Sequence, residues 1–163
     1  MPPLSSASFS NLNKLKVVFF DFDGVFTTNH VHIDAKGNEY VTCNRYDGFG
    51  LSALMSKGIK PIVLSTEVVP LATVRCDKLG IESHVGVKDK CILAEKILID
   101  NRLSFSNACF LGNDINDLSL LLRVSLPVIT SDAHTSLHKN SFYITEKMGG
   151  DGCVRELCDF LVA

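Results

Sequence analysis

Lys16-Val17-Val18-Phe19-Phe20-Asp21-Phe22-Asp23-Gly24-Val25-Phe26-Thr27-Thr28 is the stretch on which the fold turns. From Val17 to Asp21 it starts as an apolar run with β-branched and aromatic members, bounded by a turn that contains Gly24. A strand buried on both faces has this pattern. The run ends in two carboxylates, Asp21 and Asp23, two residues apart, so in continued extended backbone they project to the same side. Open α/β sheets place their ligands at this carboxyl end of the strands. Two acids held side by side repel each other unless a cation or a proton sits between them. The pair therefore asks for a hard metal such as Mg²⁺ or for acid/base work; the plainer alternative is an Asp-Phe-Asp-Gly turn that closes a strand. Partners elsewhere in the chain decide between them.

Outward from this stretch, strands and helices alternate. His30 to Ile33 and Glu39 to Cys43 flank a turn at Asp34-Ala35-Lys36-Gly37-Asn38, which predicts a β-hairpin standing outside the alternation. Apolar residues at Phe49, Leu51, Leu54 and Met55 predict a helix from Tyr46 to Lys57, stopped by Gly58. Ile59 to Leu64 is a second buried strand; a helix from about Val69 to Leu79, a short strand at His84 to Val87 and a helix from Lys90 through Leu98 follow. Ala108 to Leu111, Leu126 to Ile129 and Phe142 to Ile144 are further strands, with helices expected up to Arg123 and from Ala133 to His138. Gly149-Gly150-Asp151-Gly152 breaks the chain before a terminal helix through Leu161. The order predicts an α/β fold: a mostly parallel, doubly wound sheet with helices on both faces. Residues 1–13, rich in Ser and Pro, read as a flexible tail, and residues 14–163 as a single domain.

Composition excludes several classes. The formal net charge of −2 supplies no basic field for nucleic acid. No apolar run approaches the ~20 residues of a membrane span, and the first residues lack a basic-then-apolar leader. Six cysteines without a CxxC pair, most among apolar neighbours, read as reduced core thiols and a cytoplasmic setting. His30 and His32 have no third ligand in view and read as hairpin surface.

The acid pair finds partners at successive strand ends: Ser65-Thr66 after the second strand, Lys90 at a helix start, and Asn113, Asp114 and Asp117 after a later strand. Singly these are an N-cap, a solvated lysine and a capped helix start. Jointly they describe phosphoryl transfer. Asp21 suits a nucleophile that forms an aspartyl phosphate, and Asp23 an acid for the leaving alcohol and then a base for water. Ser65 with neighbouring amides suits the phosphoryl oxygens, and Lys90 the charge on the transferring group. Mg²⁺ held by Asp21, Asp23, Asn113, Asp114 and Asp117 lets an anionic nucleophile approach an anionic phosphate.

Taken as a set, Asp21-Phe22-Asp23-Gly24, Ser65, Lys90 and Gly112-Asn113-Asp114-Ile115-Asn116-Asp117 resembles the four motifs of the haloacid dehalogenase (HAD) superfamily of phosphohydrolases. The resemblance implies a Rossmann-like sheet, a phosphorylated Asp21, and metal ligation by the Asp21 side chain and the Asp23 backbone carbonyl. Asn113 stands where the superfamily commonly has a metal-binding Asp, which leaves Asp114 as an alternative ligand.

The two intervals where such proteins insert a cap domain hold only the hairpin with one helix, and one helix with a short strand, so an uncapped site is expected. A narrower resemblance, carried by the hairpin with Gly37-Asn38-Glu39, by Asp47-Gly48-Phe49-Gly50 and by residues 149–156, is to uncapped, tetrameric phosphatases of 2-keto sugar-acid phosphates. They include the 3-deoxy-manno-octulosonate (KDO) 8-phosphate phosphatases, the KDN and N-acetylneuraminate 9-phosphate phosphatases, and a domain fused to some CMP-sialate synthetases. In that group the KDO enzymes usually carry Thr-Gly-Arg at the second motif, and the nine-carbon enzymes Glu in place of the Arg. Here the motif is Ser65-Thr66-Glu67, which implies a nine-carbon acylneuraminate-type substrate, with KDO 8-phosphate as the alternative. The same resemblance implies that Thr66 and Glu67 meet the substrate, and that Arg75 and Lys78 reach a neighbouring subunit's site in a homotetramer to bind the substrate carboxylate. Two rivals remain: a non-catalytic oligomerisation domain, against which the retained acids and Lys90 argue, and a phospho-acceptor receiver, whose acids come in a different order.

Overall fold

A computed structural model describes Pro3 and residues 12–68, 70–140 and 142–163. The expected tail thus falls almost wholly outside the described residues, as does the helix start expected at Val69. Eight strands form: β1 (Val17–Phe20), β2 (His32–Ile33), β3 (Glu39–Tyr40), β4 (Lys60–Leu64), β5 (Glu82–His84), β6 (Ala108–Gly112), β7 (Leu126–Ile129) and β8 (Tyr143–Ile144). The helices are α1 (Tyr46–Ser56), α2 (Leu71–Leu79), α3 (Lys90–Asp100), α4 (Leu118–Leu121) and α5 (Cys153–Val162).

Six strands pair in the order β5-β4-β1-β6-β7-β8, and every pair is parallel. This is the expected α/β, Rossmann-like sheet. β1 lies inside it, so all four of its side chains are buried, and their alternation splits the core into two layers. Val18 and Phe20 point to α1, α2 and α5, where Leu51, Leu54, Cys76, Leu157 and Cys158 pack. Val17 and Phe19 point to α3 and α4, where Ala94, Leu98, Leu120 and Leu121 pack. Each fully buried side chain of this size removes enough apolar area from water to contribute about 1.5–3 kcal/mol. The sheet order thereby leaves the ends of β1, β4 and β6 side by side at one edge.

Departures from the expected elements have local causes. β5 starts earlier than expected because the pairing is made by Glu82, Ser83 and His84, half-buried residues of an edge strand that carry no apolar signal. Val85 to Val87 instead closes a loop, with the Gly86 N–H bonding the Glu67 carbonyl and the Val87 N–H the Ser65 carbonyl. The helix expected up to Arg123 is a 3-10 turn at Ile115–Asp117 followed by the short α4. The helix expected from Ala133 shrinks to a 3-10 turn at Leu137–Lys139. The hairpin forms with shorter strands, its turn organised by Asp34, which accepts from the Lys36 and Asn38 backbones and the Asn38 amide. Between β1 and α1 stands nothing but this hairpin, and between β4 and α3 nothing but α2 and β5. The fold carries no cap.

Candidate active site

The Asp21 N–H continues the β1 ladder onto the Leu111 carbonyl, and there the chain turns. Phe22 goes into the core against Phe26, so Asp21 and Asp23 share the opposite side and line one cavity of about 310 Å³. Gly24 makes the turn at φ +77, a conformation that side-chain-bearing residues rarely adopt. Thr27, buried, accepts from the Gly24 and Asn29 N–H groups and so closes the loop on itself.

Lys90 reaches this loop from α3. The Asp89 side chain caps the helix by accepting from the Ile92 N–H at 3.0 Å, which makes Lys90 the first helical residue. Its ammonium, 1% exposed, lies 2.7 Å from Asp21 Oδ1 and 2.6 Å from Asp117 Oδ1. Asp117 Oδ2 accepts from the Asn113 and Asp114 N–H groups. Both oxygens of Asp117 are thus committed, and the carboxylate is fully buried beneath the loop. This corrects the expectation that Asp117 belongs to the metal cluster: it holds Lys90 and shapes the loop after β6. Gly112 permits the approach, since a β-carbon there would stand 2.6 Å from Asp117 Oδ2.

The electrostatics follow from burial. Desolvation, aided by the negative charge of Asp117, pushes Asp21 up to about 7 against the pull of Lys90 and the Phe22 N–H. Burial draws Lys90 down, but Asp21 and Asp117 more than offset it, so its ammonium is held charged. Asp23, half-buried, is raised by burial and then by the nearby Glu67.

Asp21 Oδ1 takes both the Lys90 and the Phe22 N–H contacts, and among the described residues Oδ2 takes none. Asn113, 7% exposed, carries a buried side-chain oxygen without a partner among the described residues. These are oxygen donors, and an orphaned buried amide oxygen beside a carboxylate is what a hard cation would satisfy. Among the described residues no three carboxylate, imidazole or thiol groups converge for a metal, so any cation here relies on the Asn113 amide and backbone oxygen as well. Asp114 is exposed at the rim of the cavity, with one oxygen bonded to the Ile115 N–H.

Ser65, at the end of β4, is buried, and its Oγ accepts from the Glu67 N–H at 3.2 Å. Ser65, Thr66 and Glu67 all line the cavity. Arg75 and Lys78 do not. The Arg75 guanidinium donates from Nη2 to the Asn44 carbonyl of its own chain at 2.9 Å. Lys78 is exposed on α2.

No family model matches the chain. A curated relative, the KDO 8-phosphate phosphatase KdsC of Salmonella typhi, is 28% identical over 161 residues, which is 98% of this chain and 86% of that one. Among solved structures, a Legionella pneumophila protein described as a HAD superfamily (subfamily III A) hydrolase superposes with a TM-score of 0.89 at 33% identity, covering 93% of this chain and 84% of that one. The chain belongs to the HAD superfamily of hydrolases. A structure of KDO 8-phosphate phosphatase from Moraxella catarrhalis, holding a magnesium ion, a phosphate ion and KDO, superposes on this HAD hydrolase with a TM-score of 0.88 at 25% identity, covering 93% of it and 88% of the Moraxella chain. Both named phosphatases are named for the eight-carbon sugar acid and not for a nine-carbon one.

The cavity of this HAD hydrolase also contains residues that sequence reasoning missed. Thr27, Asn29, His30, Glu39 and Val41 line it from the hairpin and its root. Thr27 stood in the deciding stretch, but a lone Thr after a Gly turn carries no signal of its own. Glu39 was read as part of a hairpin strand and of its Gly37-Asn38-Glu39 motif, with no role at the cavity.

Proposed function

We propose that this chain is a Mg²⁺-dependent phosphomonoester hydrolase working through an aspartyl phosphate on Asp21, with a 2-keto sugar-acid phosphate as substrate. The observation that carries the reading is the Asp21 carboxylate, tethered by one oxygen to Lys90 and free at the other, beside the Ser65 hydroxyl and the unpartnered Asn113 amide oxygen. Asp21 Oδ2 attacks phosphorus as the bond to the substrate oxygen breaks, and Asp23 gives that oxygen its proton. Asp23 then takes a proton from water, whose oxygen attacks the phosphoryl group and frees Asp21 and orthophosphate. The Ser65 hydroxyl donates to a phosphoryl oxygen, and Lys90 keeps Asp21 oriented and lowers the charge around it. Asn113 Oδ1, the Asp21 carboxylate and the Asp23 carbonyl would hold Mg²⁺, with Asp114 at the rim. When bound, the ion supplies positive charge between the two anions.

The names of the similar phosphatases support KDO 8-phosphate as the sugar-acid substrate. Glu67 at the cavity wall supports a second reading, a nine-carbon KDN or N-acetylneuraminate 9-phosphate. Among the described residues no Lys or Arg lines the cavity, so a substrate carboxylate needs a cation from outside that lining. The exposed Val31, Ile33 and Tyr40 of the hairpin support the contact that would supply it, a second copy within a homotetramer, with the exposed Lys78 as the outward-facing cation. Residues 14–163 act as one hydrolase domain in this reading. Six free cysteines support a reducing, cytoplasmic setting, and no helix among the described residues is long and apolar enough to cross a membrane.

Phosphate release with Mg²⁺ should be measured across KDO 8-phosphate, KDN 9-phosphate, N-acetylneuraminate 9-phosphate and a generic aryl phosphate. One sugar acid should exceed the aryl phosphate by about 100-fold or more in kcat/KM, since remote binding energy is spent at the reacting centre. Equal turnover of all four would sink the sugar-acid assignment, and turnover unaffected by chelation would sink the metal.

A further inference from the structure

The run Gly149-Gly150-Asp151-Gly152 reads in sequence as a chain break before α5, and nothing in the proposed chemistry uses it. In the fold it lies directly under the loop that carries Asp23. A β-carbon on Gly149 would overlap the Gly24 carbonyl oxygen outright and stand 2.6 Å from the Gly24 carbonyl carbon. A β-carbon on Gly150 would stand 2.5 Å from the Thr27 carbonyl carbon and 2.9 Å from Thr28 Cα. The Gly150 N–H donates to the Val25 carbonyl at 2.9 Å, and the buried Cys153 thiol donates to the same oxygen at 3.3 Å. Gly24 also meets the Asn113 side chain, whose Cγ would be 2.8 Å from a β-carbon on Gly24. Gly24 is therefore in close contact with both the Asn113 amide and the Gly149 backbone, with no side chain between Gly24 and Gly149. The Gly149 N–H is tied to Asp132 Oδ1 at 3.0 Å, which fixes that backbone to the loop after β7.

We infer that Gly149 and Gly150 are positioning residues: their bare backbone backs the Gly24-Val25 and Thr27-Thr28 peptides and thereby sets where the adjoining Asp23 carbonyl, the Asp23 side chain and the Asn113 amide stand relative to Asp21. The inference rests on reading Asp21 and Asp23 as the reaction centre. A plain chain break needs glycine for its dihedral angles only. Gly150, at φ +68, meets that description, but Gly149 has no such φ, so its want of a side chain is explained by the overlap with Gly24 and by nothing local.

The test compares Gly149→Ala with Gly80→Ala in the full chain. Gly80 also has a positive φ, +68, but a β-carbon there meets open space, so that variant reports backbone strain without displacement. Gly149→Ala should lower kcat by about 100-fold, the scale of a misplacement of about 1 Å, with KM within about threefold. It should also raise the Mg²⁺ concentration needed for half-maximal rate and speed amide hydrogen exchange in residues 22–28. Gly80→Ala should lower the melting temperature and leave kcat and that exchange unchanged. Should Gly149→Ala fail to fold, Asp132→Ala removes the exposed anchor of Gly149 without adding bulk, and should cost kcat several-fold with the same local exchange signature. Unchanged kcat in folded Gly149→Ala and in Asp132→Ala overturns the inference, as does exchange that rises uniformly over the chain. Exchange at 22–28 remains readable in a protein that hydrolyses none of the phosphates offered, which separates failure of this inference from failure of the assigned reaction.

Discussion

The reaction centre and the hairpin above it are built on opposite principles. At the centre, Asp21, Lys90 and Asp117 are almost without exposed surface, and the two contacts of Lys90 are 2.7 Å and 2.6 Å long. On the hairpin, Val31, Ile33 and Tyr40 are 50%, 67% and 56% exposed, and its two short strands pair only with each other. A buried charge network is satisfied within one chain because each unpaired member would carry a large desolvation cost. An exposed apolar hairpin carries no such constraint and is stabilised by whatever covers it. The chain thus holds its own chemistry, while the walls that would choose a substrate face outward.

The largest effects should come from breaking the centre, and two substitutions separate its chemistry from its stability. Asp21→Asn removes the proposed nucleophile and should lower turnover by at least about 10³-fold. It leaves Lys90 paired with Asp117, so the melting temperature should hold or rise. Lys90→Met should lose turnover and stability together, because it leaves two buried carboxylates facing each other with no cation, at a cost of about 3–5 kcal/mol. The stability loss has a definite pH sign. Asp21 is raised even with Lys90 present, and removing that cation raises it further, so the variant binds more protons folded than unfolded and loses stability as pH rises. Melting curves at pH 5 and pH 8 should show the larger deficit at pH 8; an equal deficit at both would mean that the network is not electrostatic in origin.

How much of this was legible in the sequence follows the same division. The apolar runs of β1, β4 and β6 are buried within the sheet, so pattern and packing agree, and Asp21, Asp23, Ser65 and Asn113, singled out from the strand ends they follow, line one cavity. Asp117 was found but given the wrong task. Composition offers a carboxylate near a metal cluster, whereas only the backbone turn at residues 113–117 reveals that both its oxygens are already used. Arg75 was read as a partner-reaching cation, and only the tertiary position of Asn44 shows that its guanidinium bonds within its own chain. Glu39 and His30 could not be found, because a two-strand hairpin does not say which of its sides will close a cavity. Asp47 stood in view within Asp47-Gly48-Phe49-Gly50, but its burial depends on α5 packing against α1.

Asp47 gives the intermediate effect. It is 1% exposed at the start of α1, one oxygen accepts from the Arg155 N–H at 3.3 Å, and the other has no partner. Burial pushes it up to about 7, against the pull of that N–H and of Arg75. An acid raised in the folded state binds its proton there while the unfolded chain has already released it, so stability falls as pH rises from about 4 to about 7. Asp47→Asn removes that slope and should stabilise the protein at pH 8 by a kcal/mol or so, on the order of one unit of uncompensated ionisation. Denaturant midpoints at pH 5, 6, 7 and 8 would show a flatter profile for the variant. A profile as steep as that of the parent protein assigns the slope to another group.

The smallest effect on stability should come from the hairpin, and its smallness is the point. Ile33 is 67% exposed on β2, so Ile33→Ser removes little packing within the chain and should change the unfolding free energy of a dilute, dissociated sample by no more than about 0.5 kcal/mol. Hydrolysis of an aryl phosphate, which asks nothing of the cavity's outer wall, should be unchanged. If the hairpin meets a second copy, the same substitution should shift light scattering toward the monomer and raise KM for the sugar-acid phosphate, leaving the centre intact. A cost of about 2 kcal/mol or more in the dilute sample would instead show that Ile33 is packed by its own chain, and the division between a self-contained centre and an outward-facing wall would fail at the residue where it is most exposed.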